Sequence, residues 1–471
     1  MTANEPYPWS AGFRSLDEEH SYRVEDVEGE LPARLRGSLF RNGSGRNALG
    51  GKWFAHWFDG DGMIVAVRFD DQGIHFQNRY VTTRNHRDET RAGRILYRGF
   101  GKMVPGGVLA NAFRPLANVS NTSVVLEYGR LLSLWEGGPP MALDPATLRT
   151  LGMETFNGSV DAFSAHPKVD PETGELFNFG IDYGARSTLT PYRLNKGIVT
   201  RLPVVDLPYP VMNHDFVLTR RHMVFCLGPI VVDTPLKVLL GLRSFDKALR
   251  WDGGKPTLIL LVPRDGSGKS RIIETEPFFQ FHFANGFEED GALTMDFARY
   301  PDYLTIGQAL RDFWKSEWPA DGMAALTRLR LDLASGKVDS RTYDTGLANE
   351  FPTINPKRIG APYRYAYILC NPSDRRHGLQ QQVAKIDFET GTVRRHEFGP
   401  DRYPGEPLFI ATGEDGEDDG VIVTLVFDAA RRLSELVCLD ARDPASRPVF
   451  IARLKHAVPL GLHGTFTSRL F

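Results

Sequence analysis

The chain has 471 residues, 42% of them hydrophobic, with 56 Lys and Arg set against 58 Asp and Glu. That length and balance suit a large buried core and exclude a disordered or fibrous chain. A formal net charge of -2 leaves no basic field to recruit nucleic acid, so none is expected as a partner.

The start, MTANEPYPWSAGFRSLDEEH, lacks a basic end followed by an apolar stretch, so no secretory leader is expected there. No later run reaches the roughly 18 apolar residues that a membrane span requires. Cys226, Cys370 and Cys438 are far apart and form no CxxC pair. They fit a reducing compartment, and the expected location is cytoplasmic.

Along the chain, GMIVAVRFDDQGIHFQNRYV predicts two alternating strands around a DDQG turn. Related stretches follow in MALDPATLRTLG, HPKVDPETGELFNFG, LRLDLASGKVDSRTYD and VAKIDFETGTVRRHEF. Each has an apolar strand ending in Asp, a short turn and a second strand. Such recurrence predicts a radially repeated sheet: an all-β propeller forming a single domain over residues 1–471. Seven units would average about 67 residues, longer than the roughly 40–45 of WD40 blades. Loops and short helices are therefore expected to form a cap over one face.

Two stretches predict helices, TPLKVLLGLRSFDKALRW near 234–251 and DYLTIGQALRDFWKSEW near 302–318. The first sets Leu236, Val238, Leu239, Leu240 and Leu242 beside Lys237, Arg243, Lys247 and Arg250. That pattern suits a peripheral membrane contact as well as it suits packing on the body of the protein. Between LILLVP and RIIETE, DGSGKS ends like a phosphate-binding loop but has Pro263 where the first Gly belongs, so it reads as a hairpin turn.

Four histidines sit in matching settings: His166 in FSAHPKVD, His214 in VMNHDFVL, His282 in QFHFANGF and His463 in GLHGTFTS. Alternation along QFHFANGF predicts Phe281 and Phe283 on one face and His282 on the other. Taken singly, each histidine also reads as a satisfied core residue. Their separations rule out a shared helix turn, but in a propeller one histidine from each of several blades can meet near the axis. An imidazole-only site suits iron, zinc, copper or nickel. A ligating ring usually donates its other N–H to a carboxylate. Glu136 in LLSLWEGG, Glu350 in ANEFPTIN and Glu406 in YPGEPLFI sit among apolar or turn residues, and each reads either as such a partner or as an exposed turn residue. His56 in FAHWFDGDG reads as structural.

From RNGSGR and HWFDGDGM through NTSVV, LWEGG, FSAHPKVDP, HDFVLT, FHFANGFEEDG, NEFPTINP and GEPLFI to LHGTF, the chain resembles the carotenoid cleavage oxygenases over nearly its whole length. The resemblance implies a seven-bladed propeller holding nonhaem Fe(II) (Fe2+) on His166, His214, His282 and His463. Glu136, Glu350 and Glu406 would orient three of those rings. It also implies that O2 splits one double bond of a conjugated chain into two carbonyl products, with no separate reductant. An apolar polyene needs an apolar tunnel to the metal. Trp135 and Phe281, each preceding a residue of the site, are expected in its lining.

Stilbene-cleaving members carry a Lys before the first of these glutamates and a Tyr after an AGR-like motif, which together bind the substrate phenol. Here those positions are Trp135 and Phe100. A buried phenol would go unpaired at a cost of about 1–3 kcal/mol per missing hydrogen bond. The expected substrate is therefore an apocarotenoid releasing a retinal-type product. The rival readings are a stilbene-cleaving dioxygenase and a non-catalytic carotenoid-binding propeller.

Overall fold

A computed structural model describes residues 5–183, 186–413 and 416–471. Its grammar is that of the hairpins. Asp61–Asp70 pairs with Gly73–Tyr80, and the second strand alternates strictly between buried and half-buried residues. The Asp that ends the first strand fixes the turn, because Asp70 accepts the Gln72 amide and Gly73 takes up φ +107°. The same device recurs around the molecule. Asp144 accepts the amide of Thr147, Asp170 those of Glu172 and Thr173, Asp332 those of Ala334 and Ser335, and Asp387 those of Glu389 and Thr390. A short carboxylate bonded to the backbone two or three residues on stabilises a tight turn, which is why the strand–Asp pattern recurs in unit after unit.

Seven sheets of four to six strands form the blades of a seven-bladed β-propeller, with two short two-stranded pairs beside them. The ring is latched twice. Asp26–Gly29 adds to Phe450–Arg453 in the last blade, while Gly461–Thr467 from the other end of the chain pairs with Gly37–Arg46 in the first. Apolar clusters fill the spaces between neighbouring blades, as where Val217, Cys226 and Ile259 of one meet Phe283, Met295 and Phe297 of the next.

Both stretches predicted as long helices are broken. The first forms Pro235–Leu239, Phe245–Ala248 and then the strand Leu249–Trp251. Gly241 at φ +65° ends its opening helix, with the Leu242 amide reaching back to the Lys237 carbonyl and the Gly241 amide to that of Val238. The second forms Leu304–Ala309 and a 3-10 turn, Phe313–Lys315. Between them Asp312 turns left-handed and donates its amide to the Ala55 carbonyl. Pairing with a distant loop outweighs helix propensity there.

Asp387 also carries the Arg364 guanidinium on both carboxylate oxygens. First through that contact and then through the turn amides, its pKa is held down to about 2 from an ordinary 3.8. A depressed carboxyl stabilises the fold above its unfolded value and loses that contribution as pH falls through the folded one. Asp387→Asn should therefore lower Tm by about 1–2 °C near neutral pH. The gap between variant and wild type should close between about pH 4 and pH 2. Thermal melts across that range check this, and an undiminished gap at the acid end would contradict it.

Candidate metal centre

The strands nearest the propeller axis carry the histidines. His463 lies on Gly461–Thr467 and His282 on Phe279–Glu289, while His166 stands two residues before Lys168–Val169 and His214 three before Val217–Leu218. All four are buried, with one ring nitrogen of each within 4.8 Å of the others. The Nε2 atoms stand 2.8 Å apart for His166 and His214, 3.3 Å for His214 and His282, and 3.1 Å for His282 and His463.

The strand bearing His282 does not alternate as expected. Its register slips on both sides of Phe283, and a bulge re-aims the side chains beside it. Phe281 therefore turns to the site, with its ring edge-on to His214 at 5.2 Å, while Phe283 packs on Phe297 in the core. The Glu350 strand is bent in a similar way. Ala348 and Phe351 both take left-handed φ near +50°, and the register slips on either side of Glu350. Such conformations cost on the order of 1–3 kcal/mol each. Here they deliver Glu350 inward and lay the Phe351 ring parallel to His282 at 5.1 Å.

Three rings meet carboxylates through Nδ1. His282 bonds Glu350 at 2.5 Å and His463 bonds Glu406 at 2.8 Å, while Nδ1 of His214 lies 3.0 Å from Glu136, whose side chain is 39% exposed. Among the described residues no carboxylate reaches Nδ1 of His166. Glu350 also accepts from the Tyr300 hydroxyl at 2.5 Å and from the Phe351 amide. Glu406 accepts the Gly464 amide, and Arg41 lies 3.5 Å from it. Burial pushes Glu350 up, but His282, Tyr300 and the Phe351 amide together carry it below its ordinary value. At Glu406 burial prevails over the pull of Arg41 and raises the carboxyl to about 7. Burial, reinforced by the neighbouring rings, pushes His166 and His463 well below the ordinary imidazole range.

With Nδ1–H donated outward, the three oriented rings present bare Nε2 lone pairs to a common point. Acceptors facing acceptors, at 3.3 Å for His214 and His282 and 3.1 Å for His282 and His463, repel unless a cation lies between them. Two imidazole nitrogens bound at right angles to a first-row cation at about 2.1 Å stand about 3.0 Å apart. The donor set thus fits a transition metal, and an all-imidazole set suits iron among others.

Two largely apolar cavities flank the cluster. One, of about 240 Å³, is lined by Trp135, Phe100, Phe281, Tyr183 and His214. The other, of about 80 Å³, is lined by Phe281, Phe351, Tyr300, Trp318 and the rings of His282 and His463. Phe58, Thr122, Phe281 and His214 border both. Trp135 and Phe100 thus line the same cavity, although 35 residues separate them (135−100).

His56 is buried and accepts the Phe58 amide, capping a 3-10 turn behind this wall. Asp59 beside it receives the Gly101 amide on both oxygens, which tethers the Phe100 loop. Sequence reasoning missed Tyr300, Phe58, Phe351 and Thr122. No local pattern marks them, since each gains its role by facing an element remote in the chain.

The profile of the retinal pigment epithelial membrane protein family, RPE65, matches residues 13–468. The apocarotenoid-15,15'-oxygenase of Synechocystis is 36% identical over 480 residues, covering 98% of this chain and 96% of its own. The lignostilbene-alpha,beta-dioxygenase isozyme III of Sphingomonas paucimobilis is 29% identical over 475 residues, covering 94% of this chain and 93% of its own. The crystal structure of cobalt-substituted Synechocystis ACO superposes with a TM-score of 0.92 at 34% identity, covering 98% of each chain.

His282→Ala should abolish retention of iron, read by metal analysis after gel filtration. Glu350→Gln exchanges an acceptor for an amide that opposes either the ring N–H or the Tyr300 hydroxyl, and should weaken metal binding about 10–100-fold. Unchanged affinity in either variant would remove that residue from the centre.

Proposed function

The chain belongs to the RPE65 family of carotenoid cleavage oxygenases, and we propose that it cleaves one double bond of an apocarotenoid with O2, at an iron held by His166, His214, His282 and His463. The observation that carries this reading is the convergence of four buried imidazoles between two apolar cavities. Iron(II) bound there supplies the redox chemistry that lets triplet O2 react with a closed-shell polyene. Both oxygen atoms end in the two carbonyl products, so no separate reductant is consumed.

The protein's own groups orient and exclude. Glu136, Glu350 and Glu406 hold three rings with their lone pairs inward, and the Tyr300 hydroxyl steadies Glu350. The reaction moves no proton, and the hydroxyls lining the cavities are engaged elsewhere. Tyr300 donates to Glu350, Tyr183 to the Val211 carbonyl, and Thr122 to Asn121. Phe58 and Phe281, edge to face at 6.3 Å, border both cavities and set which bond of a threaded polyene lies beside the histidines. Trp135 and Phe100 offer no acid or base to a phenol, which favours a polyene over a lignostilbene-type substrate.

The iron-loaded protein given a β-apo-carotenal in air should bleach the polyene band and yield two shorter carbonyl products, identified by chromatography. An unchanged spectrum with the apocarotenal, together with turnover of a hydroxystilbene, would transfer the assignment to the stilbene-cleaving class. Tight binding without turnover would favour the binding-protein reading.

Peripheral membrane contact belongs to the same proposal. Leu236, Leu239 and Leu242 are exposed, and so are Val108, Leu109 and Phe113, with Leu109 93% accessible. The Phe113 amide donates to the Leu239 carbonyl, which joins the two segments into one apolar patch beside Lys237, Arg243 and Arg114. From that patch the chain runs directly to Leu116, Ala117 and Phe245 in the wall of the larger cavity. No helix among the described residues is long and apolar enough to cross a membrane, so the contact would be interfacial. Leu109→Asp with Phe113→Asp should abolish co-flotation with anionic phosphatidylserine vesicles while preserving turnover of detergent-solubilised substrate. Undiminished flotation would place the contact elsewhere.

A further inference from the structure

Beneath the histidine cluster lies a buried carboxylate that touches none of the rings. Asp215, 1% exposed, directly follows His214. Its Oδ1 accepts the Phe216 amide at 2.7 Å and the Lys168 ammonium at 2.8 Å, and its Oδ2 accepts the Phe283 amide at 2.9 Å. Lys168 stands two residues after His166, and Phe283 immediately follows His282. One side chain therefore joins the chain segments of three of the four histidines, which come from three successive blades.

The bulged register around Phe283 frees its amide from an ordinary ladder and lets it turn to Asp215. Ser164 adds a parallel link, accepting the His166 amide and donating to the His214 carbonyl. We propose that Asp215, with Lys168, is a positioning residue that sets the mutual spacing of His166, His214 and His282 and thereby tunes how the centre binds its metal. This rests on the metal-centre reading given above.

The distribution of donors makes the requirement specific. Both carboxylate oxygens accept, and no donor is needed from the side chain. An Asn at this position offers one acceptor and one NH2, so either orientation sets the NH2 against Phe283 N–H or against Phe216 N–H and Lys168 Nζ. The strands then separate, and an error of a few tenths of an ångström at the backbone passes directly to the ring nitrogens. Lys168→Met removes one of the three donors and leaves both amide bonds, so it should act in the same direction and less strongly. Lys168→Arg retains a cation within reach and should restore wild-type behaviour.

The test is cobalt(II) titration of the metal-free full-length protein, read by the visible ligand-field spectrum and by competition with a chelator, alongside the steady-state kinetics of the iron form. Asp215→Asn should weaken cobalt binding about 10–100-fold, shift the ligand-field bands, and lower kcat with KM little changed. Lys168→Met should show a smaller loss of the same kind, rescued in Lys168→Arg. Should Asp215→Asn fail to fold, as judged by melting of the metal-free protein, the two Lys168 variants decide. Folded variants with wild-type cobalt affinity and spectrum would overturn the tether and leave the metal centre intact. A wild-type protein that takes up no cobalt would instead overturn the metal-centre reading beneath it.

Discussion

The contact of an imidazole Nδ1 with a carboxylate, made three times over, is the interaction on which the site depends. It fixes the tautomer of His214, His282 and His463 and turns each Nε2 lone pair inward. Without it the buried rings would be free to bond one another or the backbone, and the cluster would be ordinary core. The carboxylates also answer an electrostatic need. Four neutral imidazoles would leave a bound cation its full charge, which the three carboxylates beside them would offset. Arg41 and Lys168, each close to a carboxylate of this assembly, return part of the positive potential.

These bonds can form because a propeller brings its innermost strands together. Blades one, three, four and five supply the histidines, blades six and seven supply Glu350 and Glu406 from their inner edges, and a loop of the second blade supplies Glu136. Each residue reaches the centre from a different sheet, so its position is only as good as the closure of the ring. Two latches, one from each end of the chain, hold that closure. The local strain at Ala348 and Phe351, and the bulges around Phe283, show where regular strands would have aimed the side chains wrongly.

Above the centre the requirement is for apolar space rather than for polar partners. Aromatic side chains from the cap and the inner strands provide it, with Phe281 and Phe58 at the junction of the two cavities. Because the hydroxyls there are already bonded, the walls offer position and dryness, which suits a reaction that exchanges no proton. The cap is assembled from short interrupted helices rather than long ones, since Gly241 and Asp312 redirect the chain where it must follow the surface of the blades.

Local chemistry by itself determined the hairpins. Alternating residues ending in an Asp that captures the next turn's amides specify a sheet unit wherever they occur, because every partner lies within a few residues. The settings of His166, His214, His282 and His463 were equally legible one by one, and Glu136, Glu350 and Glu406 stood out as carboxylates in apolar surroundings. What a single stretch could not contain was the pairing of each ring with its glutamate, since His282 and Glu350 are 68 residues apart and His463 and Glu406 are 57 apart. The resemblance to a family implied that the three glutamates orient three of the rings, and the folded chain shows which meets which. Alternation misplaced Phe281, because a bulge depends on the neighbouring strand, and helical propensity overextended 234–251 and 302–318, because backbone contacts with distant loops outweigh it. Tyr300, Asp215 and Arg41 carry no local mark at all. Their roles come from what faces them across blade boundaries, and only the closed ring of seven sheets brings those partners within the few ångströms over which a hydrogen bond acts.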